Sequence, residues 1–198
     1  MVANKVYIKF KNKIILYTIL FLITFSYCLV CHPQGNKPSE KLKVSRPANW
    51  AVPLEKEGLP NFYKVSDTLY RGAQPRKTGI KELKKLGIKT IINLRLSNTD
   101  AELISGSGIK YYFLPVNTLS PDEYKFSRFL EIISDPSNCP VFVHCRRGAD
   151  RTGVAIALYR IKVQKWGVDD ALNEMQNGGF HFNSLYFNLK SLVRNFEN

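Results

Sequence analysis

Residues 141–153 read VFVHCRRGADRTG, and this stretch decides the architecture that the sequence predicts. Val141–His144 is a short apolar run rich in β-branched residues, as in a buried strand. A loop of small and charged residues follows it, and Thr152–Lys165 is a largely apolar segment of helical length. The order of strand, tight loop and helix is typical of an α/β fold.

The loop has the residue types that bind a phosphate group. Backbone N–H groups that converge at the start of a helix bind phosphate oxygens. Gly148 permits a positive φ and a close approach of the backbone, and Arg151 offers a planar fork for two oxygens. The residues expected to bind the phosphate are Arg146, Arg147, Gly148, Ala149, Asp150 and Arg151.

Cys145 begins this loop and is the expected nucleophile. Inward N–H groups, the helix start and Arg151 all favour a thiolate, which is the nucleophilic form of cysteine. Thr152 is expected to donate its hydroxyl to the Cys145 sulfur and to help it leave in a second step. His144 is expected to orient the loop through side-chain hydrogen bonds. Cys139 lies six residues earlier, and the strand between the two cysteines opposes a disulfide.

The stretch resembles the H-C-x5-R-[ST] signature of the protein tyrosine phosphatases, with His144, Cys145, Arg151 and Thr152 at the signature positions. Residues 69–75 (LYRGAQP) and 87–95 (GIKTIINLR) resemble the start of the compact dual-specificity type, and the likeness covers about residues 60–197. The resemblance implies hydrolysis of phosphate monoesters through a phosphocysteine on Cys145. It implies no metal and no cofactor, and a phosphorylated protein or a small phosphate ester as substrate.

Two aspartates are candidates for the residue that protonates the leaving oxygen. The family usually has an Asp on the loop after the preceding strand, where this sequence offers Asp122. Ser120-Pro121-Asp122-Glu123 is also typical of a helix start, with Ser120 as N-cap. Asp150, inside the loop, is the rival candidate, since an Asp before the Arg also occurs in some bacterial tyrosine and lipid phosphatases.

Arg146 and Arg147 leave the substrate open as well. They suit a substrate with extra negative charge, such as an inositol phosphate or a phosphoinositide, but are equally typical of a solvated rim. Arg71 and Arg95 follow strand ends and are expected to hold structure by pairing. A phosphate-binding module without catalysis is a third reading, which the presence of both Cys145 and Arg151 opposes.

Alternating apolar segments predict a central sheet of about four to five mostly parallel strands flanked by helices. The predicted strands are Phe62–Val65, Thr68–Arg71, Thr90–Leu94, Tyr111–Val116 and Val141–His144. The predicted helices are Thr78–Leu86, Asn98–Ser105, Pro121–Ser134, Thr152–Lys165, Val168–Met175 and Asn183–Phe196.

The N-terminal region reads as an export segment. Four lysines precede Ile14–Val30, which is almost wholly apolar, so residues 1–31 are expected to be a signal peptide or membrane anchor. An N-terminal export segment followed by a phosphatase-like domain resembles the bacterial periplasmic tyrosine phosphatases. Residues 32–60 read as a linker, and 61–198 as the catalytic domain. Cys28, Cys31 and His32 have the C-x-x-C-H spacing of haem attachment, but they end an apolar run in which cysteine is simply a small apolar residue.

The charge of the chain favours anionic partners. The formal net charge is +13, from 29 Lys and Arg against 16 Asp and Glu, and residues 1–50 hold eight of the basic residues and one acid. A basic surface attracts phosphate esters, nucleic acids or anionic lipids. The sequence has no zinc-finger spacing, RNA-recognition motif or long basic helix, so no nucleic-acid partner is expected.

Overall fold

A six-stranded sheet forms the centre of the fold, and the computed structural model describes residues 46–196 of the chain. The spatial order of the strands is β1-β2-β3-β6-β4-β5. β1, β2 and β3 pair in antiparallel fashion, whereas β3, β6, β4 and β5 are parallel. The strands are β1 (Val52–Pro53), β2 (Tyr63–Lys64), β3 (Leu69–Gly72), β4 (Thr90–Asn93), β5 (Lys110–Phe113) and β6 (Val141–His144).

Helices cover the sheet, as the alternating sequence pattern predicts. They are α1 (Lys77–Lys85), α2 (Asp100–Ile104), α3 (Glu123–Ser134), α4 (Asp150–Lys162), α5 (Val168–Asn177) and α6 (Phe187–Asn195), with a 3-10 turn at Pro136–Asn138. The mostly parallel sheet flanked by helices is therefore confirmed. The strand count is six because β1 lies in the segment that was expected to be a linker.

Strand alternation divides the apolar core between the two faces of the sheet. Successive side chains of a strand point to opposite faces. In β4, Ile91 packs into a smaller cluster and Ile92 into a larger one; in β6, Phe142 joins the smaller cluster, while Val141 and Val143 join the larger. Both strands are buried along their whole length because they lie in the interior of the sheet. The loop that follows β6 therefore begins at a strand whose position is fixed by its neighbours on both sides.

The predicted linker over residues 32–60 extends too far towards the C-terminus. From Arg46 onward the chain packs against the domain: its guanidinium donates to the carbonyls of Gly178 (2.5 Å) and Ala51 (2.6 Å). The Ala51 N–H in turn donates to Glu174 at 2.6 Å, and Leu59 is buried. Proline and glycine make this segment irregular, but its apolar side chains still enter the core. Residues 32–45 lie outside the described part of the chain.

A buried ion pair joins α4 to α5 and receives this N-terminal segment. Arg160 donates from Nε and Nη2 to the two carboxylate oxygens of Glu174, both at 2.7 Å, and the Glu174 carboxylate also accepts the Ala51 N–H. Both side chains are almost completely buried. A buried charge of this kind is tolerated because its partner and its hydrogen bonds are all in place.

Five of the six helices in the described part of the chain start at a residue other than the predicted one. α1 begins at Lys77 rather than Thr78, and α2 at Asp100 rather than Asn98. α3 begins at Glu123 with Asp122 as its N-cap, so the prediction of Ser120 at that position is wrong. α4 begins at Asp150, two residues before the predicted start, which shortens the phosphate loop. α6 begins at Phe187 rather than Asn183, because the Asn183 side chain accepts the Leu185 N–H and forms a turn before it.

The predicted export segment at residues 1–31 lies outside the described residues, as does the C-x-x-C-H spacing within it. Between residues 46 and 196, no helix has the length and apolar character needed to cross a membrane.

Candidate active site

The loop between β6 and α4 runs from Cys145 to Ala149, and its backbone turn depends on Gly148. This residue has a φ of +70°, in the left-handed region that glycine adopts without strain. A Cβ at Gly148 would lie 2.4 Å from the carbonyl carbon of Gly72, so the loop backbone passes directly against β3. The positive φ predicted for Gly148 is therefore present, and it is needed for contact with the sheet.

Arg71, on β3, holds the loop through a hydrogen bond to its backbone. Its side chain is fully buried, donates from Nη2 to the Gly148 carbonyl at 2.7 Å, and lies 3.6 Å from the centre of the Phe180 ring. Burial lowers the pKa of Arg71 to about 10, and the nearby Glu174 and Cys145 partly offset this effect. The guanidinium thus stays cationic at neutral pH and places a positive charge under the loop. The expectation that Arg71 serves structure agrees with these contacts.

Cys145 lies at the base of an open cavity of about 480 Å³. Its side chain is only 2% exposed. Arg151, in the first turn of α4, lines the same cavity and donates from Nη1 to the Leu94 carbonyl at 3.3 Å. The full lining comprises Thr118, Cys145, Arg146, Arg147, Asp150, Arg151 and Tyr186. A sulfur nucleophile and a guanidinium fork therefore face one space large enough for a phosphate ester.

Thr152 does not make the hydrogen bond predicted from the sequence. Its hydroxyl is buried but has no partner among the described residues, so the expected donation to Cys145 is absent from this structure. Thr152 is the third residue of α4, and its hydroxyl remains an unsatisfied polar group beside the loop. Buried groups of this kind are costly unless another state of the protein supplies their partner.

Of the two candidate aspartates, the structure brings only Asp150 to the cavity. Asp150 is nearly buried; its Oδ2 accepts from Arg147 at 2.8 Å, and its Oδ1 accepts from the Asn183 N–H at 2.9 Å. Asp122 is exposed, is not among the lining residues, and caps α3 by accepting the Tyr124 N–H at 3.0 Å. The helix-start interpretation of Asp122 matches its position.

Arg146 and Arg147 both line the cavity but differ in their contacts. Arg147 pairs with Asp150, while its side chain stays 63% exposed. Its carbonyl accepts from the Asn61 side chain at 2.8 Å. Arg146 is exposed and holds the loop only through its carbonyl, which accepts the Gln74 N–H at 3.4 Å. The Arg146 side chain is thus available to a bound anion.

A buried polar network on the opposite side of the loop was not found by sequence reasoning. Asp100, the first residue of α2, is fully buried and accepts from the side chains of Gln74 (2.6 Å), Asn93 (3.0 Å) and Arg95 (3.1 Å). The expected structural role of Arg95 agrees with this pair. His144 Nε2 lies 3.6 Å from Asp100, beyond hydrogen-bond distance, and has no hydrogen-bond partner among the described residues. The Asp100 network therefore lies beside His144 at the end of β4, next to the loop.

His144 is neutral in this environment. Its ring is fully buried, stacks on Phe142 at 5.6 Å, and has Nδ1 3.4 Å from the Cys145 carbonyl. Burial lowers the pKa of His144 to about 4, against the opposing influence of Asp100. The contact with the Cys145 backbone supports the predicted role of His144 in orienting the loop.

Cys139 cannot reach the nucleophile. Both cysteines are free thiols and lie beyond opposite ends of β6, with Cys139 directed at the Ile133 carbonyl (3.4 Å). Burial raises the pKa of the Cys139 thiol, which makes it a poor nucleophile. No group of three or more His, Cys, Asp or Glu side chains within residues 46–196 is arranged to hold a metal ion.

The fold and this site define the class of the protein: an α/β domain with a cysteine and an arginine on one phosphate-binding loop, as in the cysteine-dependent phosphatases. A sequence model described as the tyrosine phosphatase family matches residues 59–196. The chain belongs to this family.

Two relatives with similar sequences are also named as phosphatases. The dual specificity protein phosphatase TpbA of Pseudomonas aeruginosa is 34% identical over 121 residues, which cover 61% of this chain and 55% of TpbA. Inositol diphosphatase DSP3 of Arabidopsis thaliana is 30% identical over 125 residues, 59% of this chain and 61% of that protein. The matched region thus spans little more than half the length of these relatives.

Solved structures resemble the domain over most of its length. A crystal structure of P. aeruginosa TpbA has a TM-score of 0.68 at 30% identity and covers 77% of this chain and 94% of that one. A second, of a Cys-to-Ser variant of TpbA in complex with phosphotyrosine, has a TM-score of 0.66 at 30% identity, with 76% and 92% covered.

Proposed function

We propose that this protein hydrolyses phosphate monoesters, with phosphotyrosine as the leading substrate, through a phosphocysteine on Cys145. The observation that carries the proposal is the position of Cys145, buried at the base of a cavity that Arg151 also lines. Tyr186 lines the same cavity and offers an aromatic wall to a phenyl ring. The phosphotyrosine complex of TpbA supports the choice of substrate.

The reaction has two steps that follow from the geometry. In the first, the Cys145 thiolate attacks phosphorus, an S–P bond forms, and the P–O bond to the leaving group breaks. The loop N–H groups and Arg151 stabilise the charge on the transferring phosphoryl oxygens. In the second, water attacks phosphorus, the S–P bond breaks, and inorganic phosphate and the thiolate are released. In this second step, the unsatisfied Thr152 hydroxyl would gain a hydrogen-bond partner by donating to the Cys145 sulfur as it leaves.

We propose that Asp150 is the general acid that protonates the leaving oxygen. It is the only one of the two candidate carboxyl groups that lines the cavity. Arg147 and the Asn183 N–H fix its orientation. A phosphate that draws Arg147 towards itself would free one oxygen of Asp150 for proton transfer. Asp122 remains the alternative, in a conformation in which the Asn117–Ser120 loop carries it to the cavity.

A comparison of two leaving groups tests this assignment. A general acid matters most for a poor leaving group such as a tyrosine phenolate and little for p-nitrophenolate. Asp150→Asn is therefore expected to lose far more activity on a phosphotyrosine peptide than on p-nitrophenyl phosphate, whereas Asp122→Asn loses little on either. Vanadate affinity is measured alongside, because Asp150 adjoins Arg151. A leaving-group-dependent loss in Asp122→Asn alone would assign the role to Asp122.

The nucleophile itself is tested by Cys145→Ser in the full-length chain. This variant is expected to have no measurable turnover on phosphotyrosine peptide while it still binds vanadate, because the loop donors remain. Turnover comparable to the unmodified protein would overturn the mechanism, and failure of the unmodified protein to hydrolyse any phosphate monoester would overturn the function.

Inositol phosphates are the second candidate substrate. The exposed Arg146 at the cavity supports them, as does the similarity to inositol diphosphatase DSP3. Arg147 is already paired with Asp150, so of these two neighbouring arginines only Arg146 lacks an acidic partner among the described residues. A substrate panel of phosphotyrosine, phosphoserine, phosphothreonine and inositol phosphates separates the two readings. A preference for inositol phosphates that Arg146→Ala abolishes would replace the leading one.

We also propose that the domain acts outside the cytoplasm. The apolar run Ile14–Val30 after four lysines supports export. A reporter that is active only in the periplasm, fused after residue 60, is expected to be active. A silent reporter with the fusion protein in the cytosol would overturn the placement.

A further inference from the structure

Three large apolar side chains lie exposed next to the catalytic cavity. Leu119, Leu185 and Phe187 are 78%, 73% and 67% exposed, and we name them the apolar rim. Leu119 directly follows Thr118, and Leu185 and Phe187 flank Tyr186 on either side; Thr118 and Tyr186 line the cavity. A single exposed leucine is ordinary, but several at the mouth of one cavity mark an interaction surface.

Hydrogen bonds hold the two parts of the apolar rim together. The Asn188 side chain donates to the carbonyl of Thr118 at 2.7 Å and to that of Leu119 at 3.2 Å, so α6 is tied to the loop before α3. Asn183 accepts the Leu185 N–H and donates its own N–H to Asp150. The exposed side chains are thus carried on backbone that is fixed relative to the phosphate loop.

From this arrangement we propose that the apolar rim binds apolar residues that flank the phosphorylated residue of a polypeptide substrate. The inference rests on the proposed function and names the substrate class of the same site. A phosphoryl group held by Cys145 and Arg151 leaves the rest of its residue in the cavity, with neighbouring peptide residues at the mouth. Apolar neighbours would cover side chains that are now in water, which is favourable in proportion to the area removed from solvent.

The charges beside the rim favour a peptide over an anionic membrane surface. Asp122 and Glu123 follow Leu119 closely in the chain and are both exposed. Two carboxylates there would repel anionic headgroups. Lys190, whose Nζ lies 4.3 Å from the centre of the Phe187 ring, adds a positive charge on the other side of the rim. Charges of both signs fit a peptide with mixed side chains better than a uniformly anionic surface. On the loop side of the cavity, Arg146 and Arg147 attract the phosphate and any acidic residue next to it. A short peptide satisfies both sides, because its apolar and charged residues can occupy different parts of the mouth.

The test compares two phosphotyrosine peptides with the full-length chain. One carries Leu or Ile on both sides of the phosphotyrosine and the other carries Ser at these positions. We expect kcat/KM to be at least about five-fold higher for the apolar peptide, since part of each flanking side chain is buried on binding. In Leu119→Ser and Leu185→Ser, this ratio is expected to fall towards one.

Val163→Ser is the matched control. Val163 is also an exposed apolar residue (44%), but it follows the far end of α4, about 20 Å along the helix from the cavity. Its substitution is expected to leave the peptide ratio unchanged. The inference is overturned if the unmodified protein treats both peptides alike, or if Val163→Ser lowers the ratio as much as the rim variants do.

Two further outcomes separate this inference from the proposed function. Hydrolysis of p-nitrophenyl phosphate without any peptide preference would overturn the inference alone, whereas no hydrolysis of any ester would overturn both. Binding to vesicles of anionic phospholipid that Leu119→Ser or Leu185→Ser abolishes, with no peptide preference, would assign the rim to a membrane surface instead.

Discussion

Gly148→Ala should distort the phosphate loop and lower the free energy of unfolding. Two separate contributions to this loss can be estimated from the structure. An L residue at a φ of +70° costs about 1–2 kcal/mol relative to glycine. In addition, the new Cβ would lie 2.4 Å from the carbonyl carbon and 2.5 Å from the carbonyl oxygen of Gly72. Backbone atoms on both sides have to move, and overpacking of this kind costs about 1–3 kcal/mol. The expected loss in free energy of unfolding is about 2–5 kcal/mol.

Gly87→Ala separates the two contributions. Gly87 has a φ of +75°, but a Cβ there would meet nothing within 4 Å. It therefore carries only the backbone cost, and we expect Gly148→Ala to be less stable than Gly87→Ala by about 1–3 kcal/mol. Urea unfolding monitored by tryptophan fluorescence measures this difference. Vanadate affinity should fall only in Gly148→Ala, because the loop N–H groups turn away. Equal losses in the two variants, with vanadate affinity retained in both, would refute the reasoning.

Three further predictions concern charged groups. Arg151→Lys should lower kcat on phosphotyrosine peptide by roughly 100-fold or more, because a point charge cannot make two parallel hydrogen bonds; near-normal steady-state turnover would contradict this. Glu174→Ala should cost about 3–5 kcal/mol of unfolding free energy by leaving Arg160 buried without its acidic partner. Glu131→Ala, in the exposed pair with Arg128, should leave the midpoint of the same urea titration nearly unchanged, because solvent screens that pair. His144 has a folded-state pKa of about 4, below the 6.5 of an unfolded chain, so its contribution to stability is present above pH 6.5 and is lost as pH falls towards 4. The loss reaches roughly 3 kcal/mol, and His144→Gln should show a flatter dependence of stability on pH over this range; an unchanged dependence would contradict the assignment.

The phosphate loop could be predicted from the sequence because its parts are contiguous. Cys145 and Arg151 are six residues apart, and a strand before them with a helix after them fixes their relative position whatever the rest of the chain does. Gly148 could be singled out for the same reason, since its φ is a local property. The mostly parallel sheet followed from the apolar strands and the helices between them.

The supports of the loop could not be predicted, because they come from distant parts of the chain. Arg71 donates to the Gly148 carbonyl across 77 residues, and Gln74 bonds Asp100 across 26. Asp100 begins a short helix and looks like an ordinary helix-start carboxylate until the fold buries it next to His144. The polar residues at the end of β4, Asn93 and Arg95, were the only local signal that a buried acid was nearby.

The boundary of α3 shows how local rules compete. Ser120, Pro121 and Asp122 each have a residue type that favours a helix start. The structure chooses Asp122, whose carboxylate accepts the Tyr124 N–H. Sequence alone cannot rank such neighbouring caps, because they differ by a fraction of the energy that packing of the helix provides.

The contacts of Arg46 extend the packed domain beyond the residues that the family model matches. The family match begins at residue 59, yet Arg46 lies 5.3 Å from the centre of the Phe180 ring, whose centre is in turn 3.6 Å from Arg71. A polypeptide cut back to residue 59 would retain every side chain that lines the cavity and lose the outer layer of this stack. Substitutions in residues 46–58 can therefore alter turnover without coming near the substrate.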